Sequence, residues 1–476
     1  MPGLRANSPV AYITLAVASV LALAIYWPGL DSPFMGDDYR YLLASRDMSW
    51  GSFLHDAWLP WVEREASEVS KDHWRPLSWT YFRVQYQIFG DEPIGYHLTS
   101  FAAHLAGIVM VWLLARRLVK DTAGVAIATL VFAVHPAGFE TVTWISALSL
   151  AAFPLALAGW LAFIVAVQAP EPARRRRYHG LALALFAAAL LNRETAIAVF
   201  PAMGLWYLLV HQRASLRSAR AYRPLVPYVA LAIAYLLANS WFFTVSDEQQ
   251  LSADLDAFRR TWFYAKQALL PTTYEGSALV ARIQQALGLV VLVTPLVALA
   301  ARRWLLVALS LGFLASLVPY GLFSVGFGPR YFYFPSAFFA LALGAAAAEL
   351  WPFVVRPGGE RRVGALAATG VAVIAVGVAA VGLNRVDRWV DQGPAQEQRW
   401  IDDLRRVHPE LPDGGTLYVT NVPFHMALLN GYVVEPTVAY LYPGGTHKVQ
   451  MFFRADLEDV RPWLEPDDRL FVFGEQ

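Results

Sequence analysis

The sequence contains no cysteine among its 476 residues. Structural disulfides, a cysteine-ligated zinc ion and a thiol nucleophile are therefore excluded, while the redox compartment stays open. Charge is also scarce: only 16% of the residues are Asp, Glu, Lys or Arg, whereas soluble proteins carry about 25%. The 38 basic and 37 acidic residues nearly balance, so net charge favours no nucleic-acid partner. With 57% hydrophobic residues, this composition is typical of a protein that lies in a lipid bilayer.

Long apolar runs take the place of charge along most of the chain. A helix needs about 20 apolar residues to cross the hydrocarbon core, and it must satisfy its backbone polar groups internally. The first run ends in Trp27-Pro28 instead of a small-residue cleavage site, so we predict a retained span and not a secretory signal. The sequence predicts about eleven spans in all, at 9–29, 97–115, 121–135, 147–168, 179–191, 195–211, 224–243, 284–301, 304–323, 331–350 and 363–383.

The basic residues predict the orientation of these spans. Basic loops remain in the cytoplasm, and here every second loop is rich in arginine, namely the loops around 116–120, 174–177, 213–223, 302–303 and 356–362. We therefore expect a multi-pass protein of the bacterial inner (cytoplasmic) membrane. Its two long loops, 30–96 and 244–283, would face the periplasm together with the tail.

The predicted fold class is an all-α polytopic membrane protein with a small C-terminal α/β domain. Residues 1–383 would form the transmembrane domain, and 384–476 the periplasmic domain, because the composition there changes to that of a soluble protein. Within the tail, the pattern predicts a helix over Ala395–Val407 and strands over Thr416–Val422 and Arg469–Val472.

The first outer loop opens on two adjacent carboxylates, Asp37 and Asp38. Partial desolvation and mutual repulsion raise the pKa of at least one member of such a pair, which suits a general base. The pair also fits the first turn of an interfacial helix, where acidic residues are favoured. Arg75 in the same loop is a fixed cation that suits bidentate phosphate binding, or an arginine that extends to the membrane interface.

Further polar clusters stand at the ends of apolar spans. Ionisable residues are costly there and by default indicate a functional site. By the predicted topology they all face the same side as the acidic pair. A structural ion pair of Arg193 with Glu140 or Glu194 would also explain part of the pattern. The clusters contain His97, His135 with Glu140, Arg193 with Glu194, and Arg330 with Tyr331.

These segments together resemble the GT-C superfamily of glycosyltransferases that use lipid-phosphate sugars. Among them, the resemblance is to bacterial relatives of the TMTC protein O-mannosyltransferases. Arg193 stands where the family has a lysine, and Ala147-Leu148 stand where relatives carry a basic residue. The tail shows no tetratricopeptide repeat of the TMTC kind. The motifs run in order through residues 30–345 as GDDYRYL, WRPLSW, GYHL with a later His104, HPAGFETVTWIS, NRETA and PRYFYFPS.

The resemblance implies transfer of a sugar, with inversion, from a polyprenyl-phosphate donor to a hydroxyl of a protein, lipid or glycan in the periplasm. Either Asp37 or Asp38 would be the catalytic base. Fixed cations would stabilise the charge that grows on the departing phosphate. The residues expected to bind the donor phosphate are Arg75, Arg193 and Arg330, and those expected to bind substrate are His135, Glu140, Glu194, Tyr39, His97 and Tyr331.

Several alternatives remain open from the sequence. A divalent cation, Mg²⁺ or Mn²⁺, is an option at Asp38, Glu140 and Glu194, because such metals prefer oxygen ligands, although relatives often work without metal. A transporter or lipid-linked glycan flippase is the alternative function, but transporters usually place charges at the mid-plane and show repeated halves. A non-catalytic assembly protein whose tail binds partners is a third hypothesis. The sugar, the acceptor and the choice of base stay undetermined.

Overall fold

The structure is a computed structural model that describes residues 9–59, 74–119, 121–147, 149–242, 255–270, 278–322, 328–354, 360–420, 431–444, 448–452 and 460–472. Helices dominate it. In chain order they are α1 Pro9–Tyr26, α2 Asp38–Asp47, α3 Trp50–Trp58, α4 Pro76–Phe89, α5 Pro93–Leu118, α6 Thr122–Val134, α7 Phe139–Thr143, α8 Ser149–Gln168, α9 Pro172–Asn192, α10 Val199–Trp206, α11 Val226–Phe242, α12 Leu255–Gln267, α13 Ala278–Ala300, α14 Trp304–Leu322, α15 Tyr333–Val354, α16 Glu360–Gln392, α17 Pro394–Val407 and α18 Gly431–Leu441.

Among the described residues, nine segments are long and apolar enough to cross a membrane. The other two predicted spans, 179–191 and 363–383, lie within α9 and α16, so each of the eleven predictions falls on a helical segment. Helix α9 begins with a run of arginines, which shortens its apolar part. The nine segments are Pro9–Gly29, Pro93–Leu118, Thr122–Thr143, Ile145–Gln168, Glu194–His211, Ala219–Asn239, Ala278–Ala300, Trp304–Leu322 and Pro329–Trp351.

Helices α6 and α15 pack closely through Gly124 and Gly344. A Cβ atom on either glycine would collide with the backbone oxygen of the other. Such small residues let helix backbones approach in a membrane, where no hydrophobic force drives helices together. Because Glu140 follows α6 and Arg330 precedes α15, this packing brings the two charged residues to the same place.

The polar clusters lie on short connections at one end of the helix bundle. Helices α1, α6 and α9 end there, and α15 begins there. Short 3-10 turns at Pro136–Gly138, Glu194–Ala198 and Pro329–Phe332 form these connections and contact neighbouring elements. The exposed arginines at the start of α9 belong to the opposite end. The sequence prediction that the polar clusters share one end, away from the arginine-rich loops, agrees with this arrangement.

The tail folds as a small α/β unit, as predicted. Strands β1 Thr416–Thr420, β2 Lys448–Phe452 and β3 Arg469–Val472 form a parallel sheet in the order β2-β1-β3. The predicted helix 395–407 corresponds to α17, while residues 421 and 422 of the predicted first strand lie outside the described residues. Helix α16 crosses the predicted domain boundary at residue 384 and carries the chain from the membrane to the tail.

The tail and the first outer loop share one hydrophobic core. Arg46 on α2 donates from Nη1 to the carbonyl oxygen of Tyr440 on α18 at 2.8 Å, and its guanidinium lies 4.6 Å from the Tyr440 ring centre. The tail therefore packs, through a hydrophobic core, against the loop that carries Asp37 and Asp38. Buried residues of this core include Tyr39, Leu42, Phe53, Trp79, Trp400, Leu404, Leu417 and Val438.

Candidate active site

The acidic pair follows a tight turn at the end of the bundle. Gly36 has a φ of +55°, a left-handed conformation that favours glycine over other residues. Asp38 is only 1% exposed. Its Oδ2 accepts a hydrogen bond from the Met35 N–H at 3.0 Å, and its Oδ1 accepts one from the Ser146 N–H at 2.8 Å. Asp38 therefore ties the acidic turn to the segment that precedes α8.

The two carboxylates of the pair have different environments. Burial raises the pKa of Asp38 to about 7, and the charge of Asp37 adds to this effect, while the bonds from Met35 and Ser146 oppose it. Asp37 is half-buried, so it is the more exposed member of the pair. Both oxygens of Asp38 are engaged by backbone N–H groups, and Asp37 is the member of the pair that borders solvent.

The turn Ile145–Ala147 connects the acidic pair to Arg193. Ser146 donates its N–H to Asp38, and the next residue, Ala147, accepts a hydrogen bond from Nη1 of Arg193. Burial raises the pKa of Tyr41, on which the charges of Arg75, Asp37 and Arg193 also act. The acidic turn and two of the arginines therefore act electrostatically on one side chain.

Two of the three predicted phosphate-binding arginines are paired with carboxylates. Arg75 donates from Nε to Oε2 of Glu194 at 2.8 Å and from Nη2 to Oε1 at 2.6 Å. Arg330 pairs through Nη1 with Oε1 of Glu140, and its backbone N–H donates to Oε2 of Glu140 at 3.0 Å. The ion pair predicted between Arg193 and Glu140 or Glu194 therefore forms with other partners: Arg75 pairs with Glu194, and Arg330 pairs with Glu140.

Arg193 is the exception among the three arginines. Its side chain is 8% exposed, and within the described part of the chain it pairs with no carboxylate. Its buried Nε has no hydrogen-bond partner there, and the same holds for Oδ1 of the adjacent Asn192. Burial, followed by the charge of Arg75, lowers the pKa of Arg193 below its usual range, yet a guanidinium stays protonated in proteins. Arg193 is therefore a buried cation whose Nε–H has no acceptor among the described residues.

Aromatic rings line the region around Arg330. The Arg330 guanidinium lies 5.3 Å from the ring centre of Trp144 and 4.9 Å from that of Tyr331. Trp144 contacts Trp389 near the end of α16, with ring centroids 6.2 Å apart. Tyr331 thus lies in the predicted site, whereas Tyr39 packs against Phe34 and Tyr440 in the core that joins loop and tail.

The two predicted histidines bond to the backbone. His97 donates from Nε2 to the carbonyl oxygen of Ser32 at 2.8 Å, which holds the start of the acidic loop. His135 accepts from the Ala137 N–H at Nδ1 and donates from Nε2 to the carbonyl oxygen of Ala268 at 3.1 Å. Because both ring nitrogens are occupied, His135 has no free donor for a substrate in this structure.

The residues suggested for a divalent cation do not form a metal site here. Within the described ranges, no group of three or more His, Asp or Glu side chains is arranged to hold a metal ion. Glu140 and Glu194 each bond an arginine, and both oxygens of Asp38 accept backbone N–H groups. These carboxylates already bond protein groups, and a divalent cation at Asp38, Glu140 and Glu194 stays a prediction.

The structure adds to the candidate site one residue, Glu397, that the sequence did not predict. Glu397 on α17 is 3% exposed, and its Oε1 and Oε2 lie 3.0 and 2.9 Å from the Gly36 nitrogen. A signal was present in the sequence, because Glu397 shares the buried stripe of α17 with Trp400, Ile401 and Leu404. A carboxylate at a core position of an amphipathic helix is rare unless it has a partner.

Solved structures match nearly the whole chain. The crystal structure of ArnT from Cupriavidus metallidurans bound to undecaprenyl phosphate covers 98% of this chain and 90% of its own, with a TM-score of 0.55 and 16% identity. The oligosaccharyltransferase AglB from Archaeoglobus fulgidus, in complex with an inhibitory peptide and a dolichol-phosphate, covers 92% of this chain and 64% of its own, with a TM-score of 0.53 and 13% identity. This chain has the GT-C fold. The fold predicted from the motifs is confirmed.

Sequence comparisons agree with the GT-C fold. The family model for dolichyl-phosphate-mannose-protein mannosyltransferases matches residues 76–241, a range that includes Glu140, Arg193 and Glu194 but neither the acidic pair nor Arg330. Protein O-mannosyl-transferase Tmtc1 of Drosophila melanogaster is 34% identical over 200 residues, which is 40% of this chain and 22% of the relative. The chain spans about a fifth of the length of such curated relatives. The predicted resemblance to these mannosyltransferases is confirmed, and the chain is a multi-pass membrane protein.

Proposed function

We propose that this protein transfers a sugar from a polyprenyl-phosphate donor to a hydroxyl acceptor, with inversion, on the periplasmic side of the bacterial inner membrane. One observation carries the proposal. In a chain with the GT-C fold, Asp38 and Arg193 bond adjacent residues of the turn Ile145–Ala147, so the acidic turn and a buried cation both contact one short segment.

Asp37 is the proposed general base. Both oxygens of Asp38 accept backbone hydrogen bonds, which suits a residue that fixes the turn, while Asp37 is half-buried. The Asp37 carboxylate would take the proton of the acceptor hydroxyl. The hydroxyl oxygen would then attack the anomeric carbon from the face opposite the phosphate. The bond from that carbon to the phosphate oxygen breaks, and its electron pair leaves with the phosphate.

Arg193 is the proposed main contact of the donor phosphate. Its buried Nε has an unused donor, whereas Arg75 and Arg330 are partly neutralised by Glu194 and Glu140. These three arginines and two glutamates leave one positive charge in excess. Fixed positive charge in a site that excludes water stabilises the charge developing on a leaving phosphate more than water does.

An apolar groove in the helix bundle supports an isoprenoid donor. It has a volume of about 430 Å³ and lies between α10, α12, α13 and α14. Aromatic contacts lead from it to the arginines, since Tyr264 on α12 contacts Tyr320, and Tyr320 contacts Tyr331 beside Arg330. The groove would take part of the lipid chain while its phosphate reaches the cations. Residues that line it include Leu205, Trp262, Leu292 and Leu314.

The proposed acceptor is a protein hydroxyl, and the proposed sugar is mannose. Both rest on the names of the relatives, which are protein O-mannosyl-transferases. The proposed periplasmic orientation rests on the arginine-rich loops at the opposite end of the bundle, because such loops remain in the cytoplasm.

The test is transfer by the purified protein in lipid vesicles. The vesicles would contain undecaprenyl-phosphate mannose labelled in the sugar, and a serine- and threonine-rich peptide would be the acceptor. The expected result is label bound covalently to the peptide, with the opposite anomeric configuration from the donor. Label recovered only on glycan or lipid would overturn the protein acceptor, and label that crosses the bilayer without covalent transfer would overturn the enzyme in favour of a flippase.

A further inference from the structure

The tail places a buried carboxyl group directly on the acidic turn. Both Oε1 and Oε2 of Glu397 lie within hydrogen-bond distance of the Gly36 N–H, at 3.0 and 2.9 Å. Gly36 immediately precedes Asp37, and its left-handed backbone sets the direction in which the chain leaves the turn. Glu397 therefore contacts the backbone of the proposed catalytic segment and not its side chains.

Two carboxyl groups from distant parts of the chain hold consecutive backbone N–H groups of this turn. Asp38 accepts from Met35, and Glu397 accepts from Gly36. A buried N–H that loses its acceptor costs about 1–3 kcal/mol, so the loss of either acceptor destabilises this conformation of the turn. Helix α17 reaches the turn at its first residues, where Gly393 lies against the Met35 side chain.

The carboxyl group of Glu397 is unfavourable where it lies. It occupies an apolar stripe with Trp400, Ile401 and Leu404, where an aliphatic residue would pack without a desolvation cost. Burial, the leading cause, and the charges of Asp38 and Asp37 raise the pKa of Glu397 to about 8. The charges of Glu397 and Asp38 also act on Tyr39, as do those of Arg405 and Tyr440. A residue that costs stability at this position needs a role other than packing.

We propose that Glu397 is a positioning residue for the acidic pair, so that the C-terminal domain forms part of the active site. It holds the Gly36 N–H and thereby fixes the direction of Asp37 towards the acceptor hydroxyl. This inference rests on the proposed sugar transfer and adds a residue to it. Misplacing a reacting group by about 1 Å costs about 100-fold in rate, so a small change in the turn has a large effect on kcat.

The test compares three variants of the full-length protein with wild type in the vesicle assay. Glu397→Leu removes the acceptor, Glu397→Gln keeps one oxygen that accepts from Gly36, and Asp402→Asn changes an exposed acid on the same helix. We expect Glu397→Leu to lower kcat about tenfold to 100-fold at an unchanged KM for the donor. Glu397→Gln should retain most of kcat, and Asp402→Asn should equal wild type.

A fourth variant keeps the test decisive if the leucine variant is not recovered folded. Glu397→Asp keeps the acid but withdraws its oxygens by one methylene, so we expect it to lose kcat while Glu397→Gln does not. Wild-type kcat in the leucine or aspartate variant would overturn the positioning role. A rise in donor KM at constant kcat would overturn it too. Absence of transfer by wild type would instead overturn the proposed function.

Discussion

Arg75 and Glu194 form an ion pair with two parallel hydrogen bonds, of 2.8 and 2.6 Å, across 119 positions of sequence. The pair joins the start of α4, in the first long loop, to the 3-10 turn Glu194–Ala198 that follows α9. The charge predicted to bind phosphate therefore also fastens the outer loop to the bundle.

The first prediction concerns this pair. Arg75→Met leaves the Glu194 carboxylate without Arg75, and we expect the melting temperature in detergent to fall. Glu194→Gln should lower the free energy of unfolding less in the Arg75→Met protein than in wild type. The difference, which is the coupling energy of the pair, should be about 0.5–3 kcal/mol. Thermal unfolding of wild type, the two single variants and the double variant measures this coupling. Additive effects of the two substitutions would contradict the coupling. Transfer activity should stay low in the double variant, because the arginine is still missing.

Substitutions of Asp37 and of Asp38 should have different effects on activity and stability. Asp37→Asn should lower kcat by about 100-fold to 10,000-fold, as expected when a general base is removed, with little change in melting temperature. Asp38→Asn places an NH₂ group against the N–H of Met35 or Ser146, so it should also lower the stability by about 1–3 kcal/mol. Activity and melting temperature measured together separate the two residues. If the two variants exchange these behaviours, Asp38 is the base.

We expect Arg193 to lower the stability of the protein and to raise its affinity for the donor phosphate. Arg193→Leu removes a buried cation that, among the described residues, bonds only a backbone oxygen, so the melting temperature should stay equal or rise. Binding of undecaprenyl phosphate should weaken by about tenfold to 100-fold, the equivalent of a charged hydrogen bond. Arg176→Leu, an exposed arginine of α9, is the matched control. Unchanged affinity in Arg193→Leu would assign the phosphate to the other arginines.

The pKa of Glu397 predicts a pH-dependent stability. An unfolded chain ionises this carboxyl near its ordinary value of 4.5, whereas the folded protein keeps the proton up to about 8. The folded state therefore binds more protons in this window, and this group lowers stability as pH rises through it. Glu397→Gln should gain melting temperature over wild type progressively from pH 5 to pH 8, with no further gain above that. A constant difference at all pH values would refute the shifted pKa.

The glycine contact between α6 and α15 predicts a structural effect on the site. Gly344→Val forces the helices apart, and overpacking of this kind costs about 1–3 kcal/mol. Because Glu140 follows α6 and Arg330 precedes α15, activity should fall together with the melting temperature. Gly377→Val, at a position on α16 with open space around it, should leave both unchanged. A stable and active Gly344→Val protein would show that the close approach is dispensable.

The sequence predicted the membrane helices and the tail because local patterns specify them. A span must be apolar over its whole length, and strands such as Arg469–Val472 have a local composition that differs from the spans. The partners of the charged residues have no such signal, since Arg75 and Glu194 are far apart along the chain. His135 illustrates another limit: its position at a span end predicts function, but both its nitrogens serve the backbone. The roles of the site residues stay predictions.

Glu397 was missed for a related reason. Its carboxyl interrupts the apolar stripe of α17, but only the three-dimensional structure shows that its partner is the backbone of Gly36. Such a contact depends on where two remote segments meet, and neither segment encodes it alone.

The hydrogen bond between Gly36 and Glu397 spans 361 positions, which has a consequence for biosynthesis. The acidic turn leaves the ribosome long before α17, because Glu397 on α17 follows Gly36 by those 361 positions. A nascent chain therefore carries Asp37 and Asp38 without the acceptor that holds their turn. Maturation of the site would coincide with docking of the tail, so a chain that terminates before α17 would remain inert.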